Sequence, residues 1–245
     1  MKTFAIVIAT FAASGYCLAQ SPTFEVASIR PVDSCYSPQE VQTTADSLTV
    51  RGRTIAVLLQ WAYDTPWFQI NGPEWLRDYC FDVVAKTAAP ASEKQLRLML
   101  RTLMADRFGV KVHTEQKEMP AYAITLAKGG PKFQESTTEG PSEIDRGSPE
   151  ILTAHRITIA EVADRISTEA GRPVIDETGL KGRYEIHMDL SPYIAGAGTA
   201  EAGKLDMTSI LFTGLQEQLG LKLESRKSTV NILVVDHAEK TPTEN

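Results

Sequence analysis

The chain has 245 residues, of which 42% are hydrophobic and 23% are charged, and its formal net charge is −6. This composition is ordinary for a globular protein, and the length fits one or two domains. The acidic balance argues against non-specific binding to nucleic acid or to anionic membranes, because such binding needs clustered lysine and arginine side chains.

Residues 1–19 have the organisation of a secretory signal peptide. Lys2 is the basic start, residues 4–13 form an uncharged apolar run, and Ala19 is a small residue at the expected cleavage position. The run is shorter than the about 20 residues of a membrane-spanning helix. We therefore expect cleavage and export to the periplasm or the extracellular space. No later apolar run in the sequence is long enough to span a membrane. The mature chain would keep 24 of the 25 basic residues against 31 acidic ones, which gives a net charge of −7.

Cysteine usage agrees with an exported protein. Cleavage removes Cys17 and leaves Cys35 and Cys80. In an oxidising compartment an even pair favours a disulfide, which would stabilise the fold by about 4 kcal/mol in the chain-entropy model. Two buried thiols are the alternative, and two cysteines so spaced make no zinc site.

Apolar periodicity predicts the helices and strands in chain order. The first half reads as a strand at 24–30, a helix at 54–63, a strand at 79–86, a helix at 92–108 and a hairpin of 110–116 with 121–127. The second half reads as a helix at 158–170, a strand at 184–190, a helix at 209–219 and a hairpin of 221–227 with 230–236. Ser92 with Gln95, and Thr158 with Glu161, are typical of capping boxes at helix starts.

The two halves repeat each other at nearly constant spacing. Thr54-Ile55-Ala56 recurs as Thr158-Ile159-Ala160, an offset of 104 residues, and further pairs recur at offsets up to 111. This pattern predicts an α+β fold of two related β-α-β-β-α-β-β repeats, with antiparallel sheets and helices packed on one face.

Composition places the boundaries of the repeats. The first repeat, with an extra N-terminal strand, occupies 20–127 and the second occupies 150–239. Residues 128–149 are rich in Gly, Pro, Ser, Thr and Glu, which is typical of a linker. Residues 191–206 are predicted to be a mobile loop, and residues 240–245 a polar, frayed tail.

Five stretches of sequence are distinctive together: FEVASIRP at 24–31, ADRF at 105–108, AKGGPK at 127–132, TGLKGRY at 178–184 and LQEQLGLKLE at 215–224. With them the chain resembles an uncharacterised family of exported proteins that is expanded in soil acidobacteria. More loosely, each repeat resembles the short N-terminal domain of secretins and TonB-dependent receptors, a small envelope module for protein–protein contact and signalling. These resemblances imply an envelope location and no particular activity.

Glu185, His187 and Asp189 alternate with apolar residues, so they share one face of the predicted strand at spacings of about 6.6 Å. A row of carboxylate, imidazole and carboxylate can supply metal ligands or an acid–base pair. The simpler interpretation is the solvated face of a half-buried strand. Because the sequence nominates no further ligand, we predict no metal site and no cofactor, and keep the three residues as catalytic candidates.

Aromatic residues are concentrated between positions 61 and 81, a stretch that holds all three tryptophans. Trp61, Trp67, Phe68 and Trp75 are candidates for ligand binding. Aromatic side chains on a loop broken by Gly and Pro can stack on sugars or anchor a peptide. The alternative is that they fill the core of the first repeat.

No H-E-x-x-H, G-x-S-x-G, P-loop or dinucleotide-binding glycine pattern occurs in the sequence. We therefore expect a non-catalytic envelope protein that binds a peptide, a glycan or another protein. Two alternatives stay open. One is a hydrolase-type enzyme that uses Glu185, His187 and Asp189 across from Asp82, and the other is a structural module that oligomerises through its sheet edges.

Overall fold

The computed structural model describes residues 21–35, 41–145, 147–148, 150–197 and 207–243. The predicted signal peptide lies outside the described residues, as do the later part of the predicted loop and the last two residues of the tail. Within the described part of the chain, no helix is long and apolar enough to span a membrane.

The fold is α+β, as predicted. Its strands are β1 (Val26–Val32), β2 (Gln42–Thr43), β3 (Ser47–Thr54), β4 (Ile70–Asn71), β5 (Cys80–Lys86), β6 (Lys111–Leu126), β7 (Gln134–Glu135), β8 (Glu143–Ile144), β9 (Ile151–Ile157), β10 (Val174–Asp176), β11 (Tyr184–Asp189) and β12 (Leu221–His237). Its helices are α1 (Ile55–Tyr63), α2 (Glu93–Phe108), α3 (Ile159–Ala170), α4 (Ser191–Ala197) and α5 (Met207–Gly214), which continues as a π-helical turn at Leu215–Leu219.

The four predicted helices are confirmed, and their ends show why. Ser92 caps α2 and Thr158 caps α3, each within a complete capping box. Gly109 and Gly171 end these helices with φ angles of 59° and 63°. Glycine adopts this left-handed conformation without the steric cost of a β-carbon.

Two hydrophobic cores are enclosed by these elements. In the first, α1 and α2 pack against the sheet ordered β1-β5-β3-β2, and Phe81 and Phe108 are buried edge to face. In the second, α3 and α5 pack against the sheet ordered β7-β11-β9-β8 around Ile157 and Val162. Both sheets are antiparallel, so one face of each packs on its core.

The two predicted hairpins are wrong. Each segment forms a single uninterrupted strand, β6 with 16 residues and β12 with 17 residues. These strands pair with each other in antiparallel register, from Leu126 opposite Leu221 to Lys111 opposite His237. At about 3.3 Å per residue, the ribbon they form is roughly 50 Å long.

The polar centre of this ribbon explains why the sequence suggested turns. Residues 113–118 of β6 are all exposed, and Ser225 to Lys227 of β12 are exposed opposite Pro120 to Tyr122. Pro120 has no N–H to donate and is typical of turns or of strand edges. Alternation is lost where residues 117–120 pair with residues 227–230, since neither strand has a buried residue there, so the local pattern resembles two short strands around a loop.

Through the ribbon, each half of the molecule contributes the end of one long strand to the core of the other half. Tyr122 and Ile124 of β6 lie in the second core, whereas Leu233 and Val235 of β12 lie in the first core. Short strands complete the exchange, because β10 pairs in parallel with β6 and β4 pairs in parallel with β12. The predicted bounds of the two repeats stay predictions. Each core nevertheless contains side chains from both predicted repeats.

The segment predicted as a linker is part of the second sheet. β7 pairs with β11 and β8 pairs with β9, and Phe133 packs edge to face on Tyr184. Strands of two residues leave no periodic pattern, so the turn-rich sequence around β7 and β8 resembles that of a linker. The tail is also held in place as far as it is described, since Thr243 N donates to Arg107 O.

A disulfide joins Cys35 to Cys80, and their Cα atoms are 5.5 Å apart. Cys80 is the first residue of β5 and lies opposite Val32, the last residue of β1. The bond therefore holds the chain that leaves β1 beside the start of the neighbouring strand. Closing a loop of this length contributes about 4 kcal/mol in the chain-entropy model.

Two substitutions on the same strand test the exchange. Leu233→Ala should loosen the first core and Leu223→Ala the second, each at a cost of about 2 to 5 kcal/mol in the free energy of unfolding. Amide hydrogen exchange should quicken mainly in α1 for Leu233→Ala and mainly in α3 for Leu223→Ala. If both variants quicken exchange in the same helix, β12 does not serve two cores.

Candidate functional site

A cavity of about 1080 Å³ lies between the two halves of the molecule. Its walls are α1 with the turn that follows it, α3 with β10, and Val230 from the centre of the ribbon. The volume is at the upper end of the range of ligand pockets, roughly 300 to 1,000 Å³. Because residues from both halves line it, the cavity exists only where the halves are held together.

The end of α1 presents Trp61 and Asp64 to the cavity. Asp64 adopts a left-handed conformation (φ 52°, ψ 47°), and its N–H is directed at the carbonyls of Gln60 and Trp61. Aspartate tolerates this conformation better than most residues. One residue thus ends the helix and supplies a carboxylate. Arg97 of α2 stacks 4.8 Å from the centre of the Trp61 ring and pairs with Asp64 at 3.0 Å.

The opposite wall is anchored by Ser167 of α3. Its buried hydroxyl donates to the carbonyl of Ala163 at 2.8 Å and accepts from the N–H of Val174 at 2.8 Å. The first residue of β10 is therefore fixed to the helix by a side chain. This contact holds Pro173 to Ile175 in position as the apolar part of the wall.

Asp164, one turn before Ser167, carries the charge of this wall. Its side chain is exposed and forms no hydrogen bond or ion pair with another described residue. Partial burial, and then the like charges of Glu161 and Asp64, raise the pKa of Asp164 above its ordinary value. A carboxylate from each half therefore faces the same cavity.

The two halves also touch through Trp67, which follows α1. Its indole lies against Gly171, where a β-carbon would approach the ring to 2.9 Å. Trp67 meets Phe68 edge to face, with ring centres 5.8 Å apart. Phe68 lines the cavity, whereas Trp67 supports it and keeps 46% of its surface exposed.

The structure divides the four aromatic residues that were predicted to bind a ligand. Trp61 and Phe68 line the cavity, and Trp67 adjoins it. Trp75 lies elsewhere, packed on the first core beside Tyr79, and Lys240 lies 5.8 Å from the centre of its ring. The core-filling alternative describes the packing of Trp75, and it applies in part to Trp61, which also packs against the first core.

A family model described as a protein of unknown function, DUF3738, matches residues 56–238. The chain belongs to this family. The match runs from α1 to just beyond β12, so the DUF3738 region includes most of both cores, the ribbon, and both carboxylates of the cavity. No curated protein and no solved structure matches the chain. The family assignment agrees with the motifs in that the family is of unknown function, and it adds no activity.

The predicted row of Glu185, His187 and Asp189 lies on the side of β11 that faces away from the core. Each side chain has a different partner: Glu185 accepts from His155 at 2.5 Å, His187 shares a hydrogen bond with Thr153 at 3.0 Å, and Asp189 accepts from the N–H of Ser191 at 2.9 Å. In the part of the chain that the structure describes, no three His, Cys, Asp or Glu side chains are placed to hold a metal ion.

Glu185 has a structural role with a counterpart in the first half. β3 and β9 both contain a bulge with a left-handed residue, Gly52 in one and Arg156 in the other, each with φ 54°. Asp82 accepts from Gly52 N at 2.8 Å, and Glu185 accepts from Arg156 N at 3.3 Å. Each carboxylate satisfies an N–H that the bulge removes from the sheet. The structure thus places Asp82 and Glu185 opposite separate bulges, on β5 and β11.

Sequence reasoning missed Asp164 and Arg97. Both occupy polar faces of amphipathic helices, which usually face solvent. Only the packing of one half beside the other turns these faces into cavity walls. The one signal available was the ion-pair spacing of Glu93 and Arg97, which are four residues apart and 2.8 Å from each other in the structure.

His155 provides a test of the bulge contact. Its hydrogen bond to Glu185 raises the pKa of His155 above 6.5. The folded state therefore binds this proton more tightly than the unfolded state. The contact's contribution to stability is complete between pH 4.5, the ordinary pKa of the Glu185 carboxyl, and pH 6.5, and it is lost as the pH rises through the folded-state pKa of His155. In Glu185→Gln, the His155 pKa measured by NMR titration should fall.

His113 is the internal control for this titration. Its own carboxylate partner, Asp236, lies 2.9 Å from Nδ1 and raises the pKa of His113. Glu185→Gln should leave that pKa unchanged. An unshifted His155 in the variant would show that Glu185 does not hold the imidazole.

Proposed function

We propose that the protein is an exported binding protein that holds a peptide or a glycan in the cavity between its two halves. The observation that carries the proposal is the cavity itself, which brings aromatic, amide, hydroxyl and charged groups from both halves to one space. Ligand sites typically combine apolar walls with a few polar groups that orient the ligand.

The lining suits a ligand that is partly apolar and rich in hydrogen-bonding groups. Phe68 offers an aromatic ring on which a sugar or a side chain can pack. Gln60 and Gln69 supply amides and Thr168 a hydroxyl along the same walls. Each amide both donates and accepts, so the walls can match the hydroxyl groups of a glycan or the backbone of a peptide.

Three observations support export. The first 19 residues have the pattern of a signal peptide. The Cys35–Cys80 disulfide is of the kind that persists in oxidising compartments. The loose resemblance of each half to envelope modules of secretins and TonB-dependent receptors fits the same location.

A thermal-shift screen with the mature protein tests the binding proposal, using peptidoglycan fragments, neutral oligosaccharides and short peptides as probes. A ligand at a hundred times its dissociation constant adds about 2.7 kcal/mol to the free energy of unfolding. That gain should raise the melting temperature by roughly 5 to 10 °C for a chain of this size. Tryptophan fluorescence should change with the same probe, since Trp61 lines the cavity.

Two aromatic substitutions locate the binding. Phe68→Ala should abolish the shift, because Phe68 lines the cavity, whereas Tyr79→Ala should keep it, because Tyr79 is exposed beside Trp75 and away from the cavity. A shift of equal size in Phe68→Ala would place the ligand elsewhere. A panel without any shift would contradict a small ligand and leave a protein partner.

A further inference from the structure

The charged side chains that line the cavity, Arg53, Arg97, Asp64 and Asp164, sum to zero, but they are not paired one to one. Arg97 is already engaged: its guanidinium pairs with Asp64 at 3.0 Å and with Glu93 at 2.8 Å, and it donates to the carbonyl of Trp61. Arg53, the other basic side chain of the lining, also interacts with another group of the protein. Both basic groups are therefore committed within the protein.

Among the charged groups of the lining, Asp164 is the one whose carboxylate forms no ion pair or hydrogen bond with a described residue. No described side chain donates to it, and the charges that act on it most are the carboxylates of Asp64 and Glu161. Glu161 does not compensate, because it is the capping-box residue of α3 and also accepts from Ser142 at 2.6 Å. The cavity thus presents one carboxylate with no counter-ion among the described residues.

The aromatic side chains of the same cavity favour a cation as well. A positive group over the face of an aromatic ring gains electrostatic attraction, more so where water is partly excluded. The protein uses this interaction itself, since Arg97 stacks over Trp61 on one wall. Phe68 offers a second ring to the cavity, and no described basic side chain is stacked on it.

We propose that the ligand of this cavity carries an ammonium or guanidinium group that pairs with Asp164. The inference rests on the proposed binding function and names the chemistry of the ligand. A basic side chain of a peptide and the free amine of an amino sugar both supply such a group. An anionic ligand is disfavoured, because it would meet the carboxylate of Asp164 and find Arg97 already paired with Asp64 and Glu93.

Matched pairs of probes, differing only in acetylation of the amine, isolate this charge. One pair is a capped Gly-Gly-Lys-Gly-Gly peptide and its Nε-acetyl form, and the other is tetrameric glucosamine and its N-acetyl form. Binding is measured by tryptophan fluorescence titration at about pH 6, with wild-type protein, Asp164→Asn, and Glu169→Gln as control. Glu169 is an exposed carboxylate of the same helix outside the cavity lining, so its variant has the same change in net charge.

The amine member of one pair should bind about tenfold more tightly than its acetylated partner, from an exposed ion pair together with a cation–π contact. The preference should disappear in Asp164→Asn and remain in Glu169→Gln. A preference within the lysine-peptide pair indicates a peptide ligand, and a preference within the glucosamine pair indicates an amino-sugar ligand.

Equal binding of amine and acetylated probes, or a preference that survives Asp164→Asn, would overturn the inference. The binding function would stand in that case, provided that Phe68→Ala abolishes binding of the same probes. Absence of binding by all four probes would also overturn the inference, and the neutral members of the thermal-shift panel would then decide the binding function separately.

Discussion

The antiparallel pairing of β6 with β12 is the interaction on which the rest of the molecule depends. The ends of these strands fill both cores, with Tyr122 and Ile124 in one and Leu233 and Val235 in the other. Burial of Leu233 and Val235 alone contributes about 3 to 6 kcal/mol. That is a large share of a typical free energy of unfolding, about 5 to 15 kcal/mol. Neither half therefore encloses a complete core without the other.

This constraint also creates the candidate site. Since each half holds a strand end of the other, one face of α1 and the polar face of α3 are kept on opposite sides of one cavity. Asp64 and Asp164 would be independent charges if their helices were apart. Across the cavity they lie near enough for the charge of Asp64 to contribute to the raised pKa of Asp164. Trp67 packed on Gly171 adds a direct contact between the halves.

Local signals in the sequence were sufficient for the local structure. Capping boxes and glycine stops located α2 and α3, and strict alternation located β5 and β11. The long pairing was missed because the exposed centre of the ribbon breaks alternation, and because pairing between distant segments leaves no local pattern. The site was found only in part: Trp61 and Phe68 were predicted from aromatic composition, whereas Asp164 depends on how the halves pack. Descent of the halves from one duplicated unit stays a prediction.

The exchange of strands is tested most directly by a cross-link at the centre of the ribbon. Ala127 N donates to Gly220 O, so odd residues of β6 form the hydrogen-bonded pairs. The exposed pair Glu118 and Thr229 is then non-hydrogen-bonded, where facing side chains are closest. The double variant Glu118→Cys/Thr229→Cys should form a disulfide within one chain under mild oxidation, detected by mass spectrometry. Two free thiols, or a bond only between chains, would contradict the exchange.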